Sequence, residues 1–426
     1  MQLLIKKARI IDPASSFNGK LQDILIEDGR IKKIGASLRP DAPSGQVQVL
    51  EQPGLHVSPG WVDLFAHFCD PGMEYREDIR SGSLAAAAGG YTDVMLIPDT
   101  SPCLQSKAQI TYVLDRARPF PVSIHPIGAV SRSLEGSSLA EMYEMHQSGA
   151  VAFSDGLHPI QSSGLLLKAL QYVKAFEGTI IQLPDDTSIS RHGLMHEGIH
   201  STRLGMPGKP ALAEDILVQR DIELTRYAGS KIHFTGISTR KSIALIAAAK
   251  KEGLAVSCSV TPYHLLLTDA ALEQYDSNLK VNPPLRNNDD VQALREAVEN
   301  GTVDCIATHH LPRDRDSKQK EFEYAGEGMI GLESCFGLLR EALPGLSADR
   351  LAQLLGGRAR ELFGLPSATL QEDAPACLTF FDPEKEWVFD REALRSKSAN
   401  TPFLGRTLKG KPLGIYNKQQ LHLLNP

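Results

Sequence analysis

No run of 18 or more apolar residues occurs in the 426-residue sequence, so a membrane-spanning helix is not expected. The N-terminal MQLLIKKARIID alternates apolar and charged residues and lacks the apolar stretch of a secretory signal. No C-x-x-C pair is present: Cys69, Cys103, Cys258, Cys305, Cys335 and Cys377 are scattered, most of them in apolar runs. That argues against a disulfide framework or a ribbon-type zinc site and fits reduced core thiols in a cytoplasmic protein. Basic residues are not in excess, with 45 Lys and Arg against 51 Asp and Glu and a net charge of −6. Neither nucleic acid nor anionic lipid is implied as a partner. Internal repeats and low-complexity tracts are absent as well.

What is present is an ordinary globular composition, 42% hydrophobic and 23% charged, long enough for a large core. Residues 1–55 carry short alternating segments with turn signals at Asp12-Pro13 and Asp28-Gly29, the chemistry of a small antiparallel sheet. From 56 to 365 short apolar strands alternate with helical stretches: Gly60–His67, Thr92–Pro98, Val122–Ile127, Ala150–Asp155, Thr179–Leu183, Lys231–Ile237, Ala255–Val260 and Val303–Thr308. Eight such units predict an α/β fold with a distorted (β/α)8 barrel, whose chemistry sits at the C-terminal strand ends. Residues 366–426 return to strand and turn character, and the two flanking pieces are expected to form one β-sandwich domain built from both termini.

The most informative segment is Asp63-Leu64-Phe65-Ala66-His67-Phe68-Cys69-Asp70, at the end of the first barrel strand. A D-x-H-x-H pattern there would aim two imidazoles at one ion, because residues two apart on a strand share a face. Phe65 stands at the first of those positions and cannot ligate. His192, His196 and His200 are spaced four apart, as on one helix face, but Gly193 and Gly198 interrupt that segment.

Read in order, the strand ends resemble the dihydroorotases of the amidohydrolase superfamily, in the class that works alongside aspartate carbamoyltransferase. The resemblance rests on VSPGWVDLFAHFCDPGMEYREDIRSGS, AAAAGGYTDVMLIPDTSP, AFSDG, TPYHLLLTD, YDSNLKVNPPLR, CIATHHLP, GMIGLES and SANTPFLGRTLKGK, and it spans nearly the whole chain. The family's H-x-H-x-R on the first strand reads Phe65, His67 and Cys69 here. Its second-strand Asn is Asp99, and its fourth-strand carboxylate is kept as Asp155. The fifth-strand and sixth-strand histidines align with Gln182 and Gly236. The eighth-strand catalytic Asp is His309, and the last histidine of that motif is Arg313. Asn282, in VNPPLR, matches a substrate contact.

Hydrolysis of a cyclic amide at neutral pH needs an activated water and a polarised carbonyl, both of which zinc supplies. A catalytic zinc takes three protein ligands plus water, and the resemblance leaves only His67 and Asp155 as metal ligands. His309 can shuttle a proton but cannot replace the lost ligands. Cys69 cannot make the bidentate clamp an Arg makes to a carboxylate, and Asp99 repels an anionic substrate. The blander readings are that His67 is a hydrogen-bonded core histidine, that Asp155 accepts backbone N–H groups, and that Asn282 shapes the turn at Pro283-Pro284. The expected function is a catalytically inactive dihydroorotase-like protein of pyrimidine biosynthesis, with no stoichiometric cofactor. The resemblance implies a homo-oligomer that supports aspartate carbamoyltransferase. The alternative is a working dihydroorotase or other cyclic-amide hydrolase with a rebuilt, one-zinc site on His67, Asp155 and His309.

Overall fold

A computed structural model describes residues 2–40 and 47–424. Eight parallel strands neighbour one another in chain order: Trp61–Ala66, Tyr91–Leu96, Ser123–Gly128, Ala152–Phe153, Thr179–Gln182, Lys231–Phe234, Val256–Val260 and Cys305–Ile306. All eight expected strands are present, with the fourth and eighth cut to two residues each. They read as continuous apolar runs because both faces are covered, one by the barrel interior and one by helices. The first and eighth strands close the barrel through side chain and loop. Thr308 donates its N–H to Asp63 Oδ1 (2.7 Å) and its hydroxyl to Oδ2 (2.9 Å), and the His67 N–H donates to the His310 carbonyl at 2.9 Å. Burial pushes the Asp63 carboxyl up to about 6.

The expected helices surround this sheet. Ile79–Ala88 starts at Asp78, whose Oδ1 accepts the Ser81 N–H at 2.7 Å in a capping box. Thr239 caps Arg240–Lys251, its hydroxyl oxygen accepting the Ser242 N–H at 3.1 Å. The segment carrying His192, His196 and His200 is not one helix: Met195–His196 is a short strand paired with Gly208–Lys209, and only His200 lies in the following helix, Ile199–Leu204. The glycines that interrupt the segment win over the histidine spacing, so the three rings share no face.

Both termini build one further sheet. Gln2–Ile10, Leu21–Glu27, Arg30–Gly35, Val47–Glu51 and His56–Pro59 join Leu378–Phe389, Arg406–Asn417 and Gln420–Leu423 in a single eight-stranded hydrogen-bonded array. Val57 pairs antiparallel with Phe380, which ties the first part of the chain to the last. Asp28 and Gly29 have φ of 47° and 79°, the left-handed pair a two-residue hairpin turn requires. Leu3, Ile5, Ile24, Ile26, Val57 and Phe380 form its core. Trp61, at the start of the first barrel strand, packs on Phe336 and Phe381 with ring centroids 5.0 and 5.4 Å away, so the terminal sheet and the barrel share an aromatic seam.

Candidate functional site

The first strand runs into the barrel mouth with Phe65 fully buried in the apolar cluster that also holds Ile97, Ile127, Ile181 and Ala307. Its ring lies over the His309 imidazole, centroids 4.5 Å apart and planes tilted by 32°. Two residues on, His67 is buried, with Nδ1 3.5 Å from the Cys69 sulfur. Its Nε2 is buried with no hydrogen-bond partner among the described residues. Burial first, and then the charges of Arg313 and Arg76, lower the His67 pKa to about 3. The ring is neutral at pH 7. Burial likewise pushes the Cys69 thiol up to about 12, so it is neither a nucleophile nor an anionic ligand.

The two carboxylates at the mouth are differently placed. Asp155 spends its oxygens on the neighbouring loop: Oδ1 accepts the N–H groups of Val130 (3.0 Å) and Ser131 (2.8 Å), and Oδ2 accepts the Ser131 hydroxyl. That is the backbone-anchoring role. Asp99 accepts the Leu157 N–H at 3.0 Å through Oδ1, while Oδ2 is buried without a partner among the described residues. Burial, reinforced by the Asp155 charge, raises the Asp99 pKa to about 7. Gly156 is required beside it, because a Cβ there would stand 1.6 Å from Asp99 Oδ2 and the φ is +60°.

Opposite Phe65, the fifth, sixth and eighth strands converge on one imidazole. His309 donates or accepts at 2.8 Å with Thr235 Oγ1 through Nε2, and its Nδ1 has no partner among the described residues. A Cβ at Gly236 would lie 2.6 Å from His309 Cε1 and 3.1 Å from Leu183 Cδ1. The Gly236 position is therefore not an empty ligand site; the His309 ring fills it. Burial, followed by the neighbouring His264 and His233, lowers the His309 pKa to about 3, which unsuits it for proton transfer near neutrality. His310 turns the other way: its Nδ1 accepts the Gly331 N–H at 3.2 Å and its Nε2 sits 3.5 Å from Glu77 Oε2.

One expected position is corrected. Gln182 does not face the mouth. Its amide nitrogen reaches Asp221 Oδ2 (3.2 Å), on the helix Leu212–Ala228, and the Ile160 carbonyl (3.4 Å). Strand alternation then turns Ile181 into the barrel interior and brings Leu183 to the Gly236–His309 contact. Leu183 and Thr235 are the mouth residues that reading the sequence missed. The TIIQLP segment gave no polar signal at 183, and only the register of the strand distinguishes the two candidates. Asn282 also has an unforeseen partner: Lys209 Nζ donates to its Oδ1 and to Asp185 Oδ2, each at 2.6 Å. Arg313 bonds the Glu327 carbonyl at 2.7 Å.

A zinc ion does not fit these residues. Phe65 and Leu183 place hydrocarbon at the mouth, Asp155 is spent on hydrogen bonds, and His309 is packed face-on against a ring. No group of three or more His, Cys, Asp or Glu among the described residues is arranged to hold a metal. His67 Nε2, Asp99 Oδ2 and His309 Nδ1 are unpartnered polar atoms at the mouth among the described residues.

Residues 54–242 match the family described as dihydro-orotase-like. A dihydroorotase of Citrifermentans bemidjiense is 40% identical over 424 residues, 99% of each chain. One of Geotalea daltonii is 39% identical over 413 residues, 96% of each. The L-hydantoinase of Arthrobacter aurescens superimposes with a TM-score of 0.87 at 25% identity, over 99% of this chain and 97% of that one. With identity of this extent and a barrel closed on Asp63 as described, this chain belongs to the dihydroorotase family.

Proposed function

We propose that this chain is a dihydroorotase homologue of pyrimidine biosynthesis that no longer hydrolyses dihydroorotate and serves, in the cytoplasm, as a homo-oligomeric non-catalytic partner of aspartate carbamoyltransferase. The observation that carries the loss of chemistry is the Phe65–His309 stack, wedged against Leu183 and Gly236. It occupies the mouth with packed, neutral groups where the reaction needs a polarised carbonyl and an activated water. The substrate side is equally poor, since Cys69 offers no fork for a carboxylate and Asp99 puts a carboxyl where the family has an amide. Relatives named dihydroorotase support the pathway; retention of the barrel scaffold with a filled mouth supports a role carried by the outer surface.

The test is co-purification with aspartate carbamoyltransferase and its transcarbamoylase activity, for wild-type and His67→Ala chains, beside a dihydroorotase assay of the wild type. The expected result is partner-dependent transcarbamoylase activity unchanged by His67→Ala, with no dihydroorotase turnover. Robust turnover abolished by His67→Ala would overturn the reading in favour of a rebuilt cyclic-amide hydrolase. That second reading draws on the buried, unpartnered His67 Nε2 and Asp99 Oδ2, which are free to meet a ligand.

A further inference from the structure

A cavity of about 580 Å³ opens near the barrel mouth, between the loop after the eighth strand and the segment 391–404. Its basic lining is unlike the acidic chain as a whole. Arg313, Arg315, Lys318, Arg391 and Lys397 face it, and Asp314 is the carboxylate among its lining residues. Asp314 is already committed, accepting from Arg76 Nε at 2.7 Å. Lys397 has a partner of its own in Asp78, at 2.5 Å. Arg391 is exposed and has no hydrogen-bond or ion-pair partner among the described residues. Arg315 spends only its Nε, on Gln319 (2.8 Å), and Arg313 only its Nε, on the Glu327 carbonyl. Their outer guanidinium nitrogens remain available.

Lys318 shows how crowded with positive charge this wall is. It is 5% exposed, and its ammonium donates to the Ser277 carbonyl at 2.8 Å rather than to a carboxylate. Burial and then the Arg313 charge bring its pKa down to about 7; Lys280 adds to this, while Asp276 and Glu327 oppose it. Like charges held together around a void, with Asp314 engaged by Arg76 and Lys397 alone of them paired to a carboxylate among the described residues, are stabilised by an anion that enters it.

We infer that this cavity binds a small polyphosphate-bearing molecule, through the guanidinium groups of Arg313, Arg315 and Arg391 with Lys318 and Lys397 behind them. Planar guanidinium forks match phosphate oxygens two at a time. A single carboxylate would leave most of the lining charge unmet, whereas a pyrophosphate or triphosphate group matches it. The volume falls within the range of sites that hold nucleotide-sized ligands. Tyr75, 66% exposed on the cavity's edge, with Arg76 over its ring at 5.2 Å, offers a flat face for a base. None of Phe65, His67, Asp99, Asp155 or His309 lines the cavity, so the inference is independent of whether the barrel mouth is catalytic.

Calorimetric titration of the full chain with pyrophosphate, with a nucleoside triphosphate and with citrate, in chelator and at low salt, tests it. The expected result is saturable binding of both phosphates well below about 1 mM, with citrate at least about tenfold weaker. The Arg315→Ala/Arg391→Ala double variant changes two exposed side chains and should keep the wild-type melting temperature while losing about tenfold or more in affinity. Equal binding of pyrophosphate and triphosphate supports recognition of the phosphates alone. Tighter triphosphate binding, with the advantage lost in Tyr75→Ala, supports a base at the rim. Absence of saturation by either phosphate at about 1 mM, citrate binding as strong as triphosphate, or unchanged affinity in the double variant would each overturn the inference.

Discussion

His309 Cε1 lies 2.6 Å from the point that a Cβ on Gly236 would occupy. The two positions are a matched pair: the sixth strand gives up its side chain, and the eighth strand's imidazole moves into the space. Gly236→Ala must then displace a buried ring and hold alanine at a φ of +66°. Its expected cost is about 2–4 kcal/mol. In a His309→Ala background the ring is gone, and what remains is the backbone strain, about 1–2 kcal/mol, and a tight contact with Leu183 Cδ1 at 3.1 Å. A double-mutant cycle by denaturant unfolding should show this coupling, and simple additivity would refute the pairing.

Metal removal should do nothing. Protein purified without chelator is expected to carry well under one zinc per chain, and dialysis against chelator should leave the melting temperature unchanged. Asp155→Asn, in contrast, should lower stability by about 1–3 kcal/mol with or without chelator, because it disturbs the bonds to Val130 and Ser131. Stoichiometric zinc surviving dialysis would contradict both expectations.

Phe65→His alone should produce neither dihydroorotase activity nor tight zinc. Leu183, Gly236 and His309 still deny the ion ligands and the reaction its proton-transfer carboxylate, and losses that act as a unit are not repaired one at a time. Removing the ring should also open a space beside His309, so that Phe65→Ala costs about 3–5 kcal/mol. Measurable turnover by Phe65→His would mean the remaining residues are better placed than their packing indicates.

The buried imidazole of His309 should make the fold acid-sensitive. Its folded pKa is about 3 against an unfolded value of about 6.5. Above pH ~6.5 neither state is protonated there; as pH falls from ~6.5 toward ~3 only the unfolded chain takes the proton, and stability is lost. His309→Gln keeps a partner for Thr235 and cannot titrate. The difference between the two stability curves should therefore slope by roughly 1 kcal/mol per pH unit across that window and be flat above it. Parallel curves would show that the ring is reached by solvent.

Asp99 runs the other way. Its folded pKa is raised to about 7, so the folded chain holds a proton that the unfolded chain releases near pH ~4. Stability falls as pH rises between those values. Asp99→Asn preserves the acceptor for Leu157 and should stabilise the protein at pH ~8 by about 1–3 kcal/mol, with little effect near pH ~4. Thermal unfolding at the two pH values separates the outcomes.

The sequence by itself determined the barrel and, through the family resemblance, the positions where Phe65 and Gly236 stand in place of histidines. Eight apolar runs punctuated by turn residues and alternating with helical stretches need a parallel sheet covered on both faces, and eight such units match a closed barrel. Phe65 and Gly236 are legible as departures because a phenyl ring and a bare backbone cannot ligate a metal whatever their orientation, whereas His309 departs only in replacing the family's proton-transfer Asp. The Asp28-Gly29 turn was equally readable, since few residue pairs accept two positive φ values. Tertiary structure alone decided which residue of a strand faces inward. Gln182 and Leu183 are adjacent, and a one-residue difference in register exchanges interior for exterior. It also decided that Asp155 is consumed by the backbone of residues 130 and 131, and that His192, His196 and His200 never share a face. The gathering of Arg313, Arg315, Lys318, Arg391 and Lys397 around one cavity was beyond the sequence too. Charges scattered along an acidic chain acquire a local sign only when loops far apart in sequence are packed side by side.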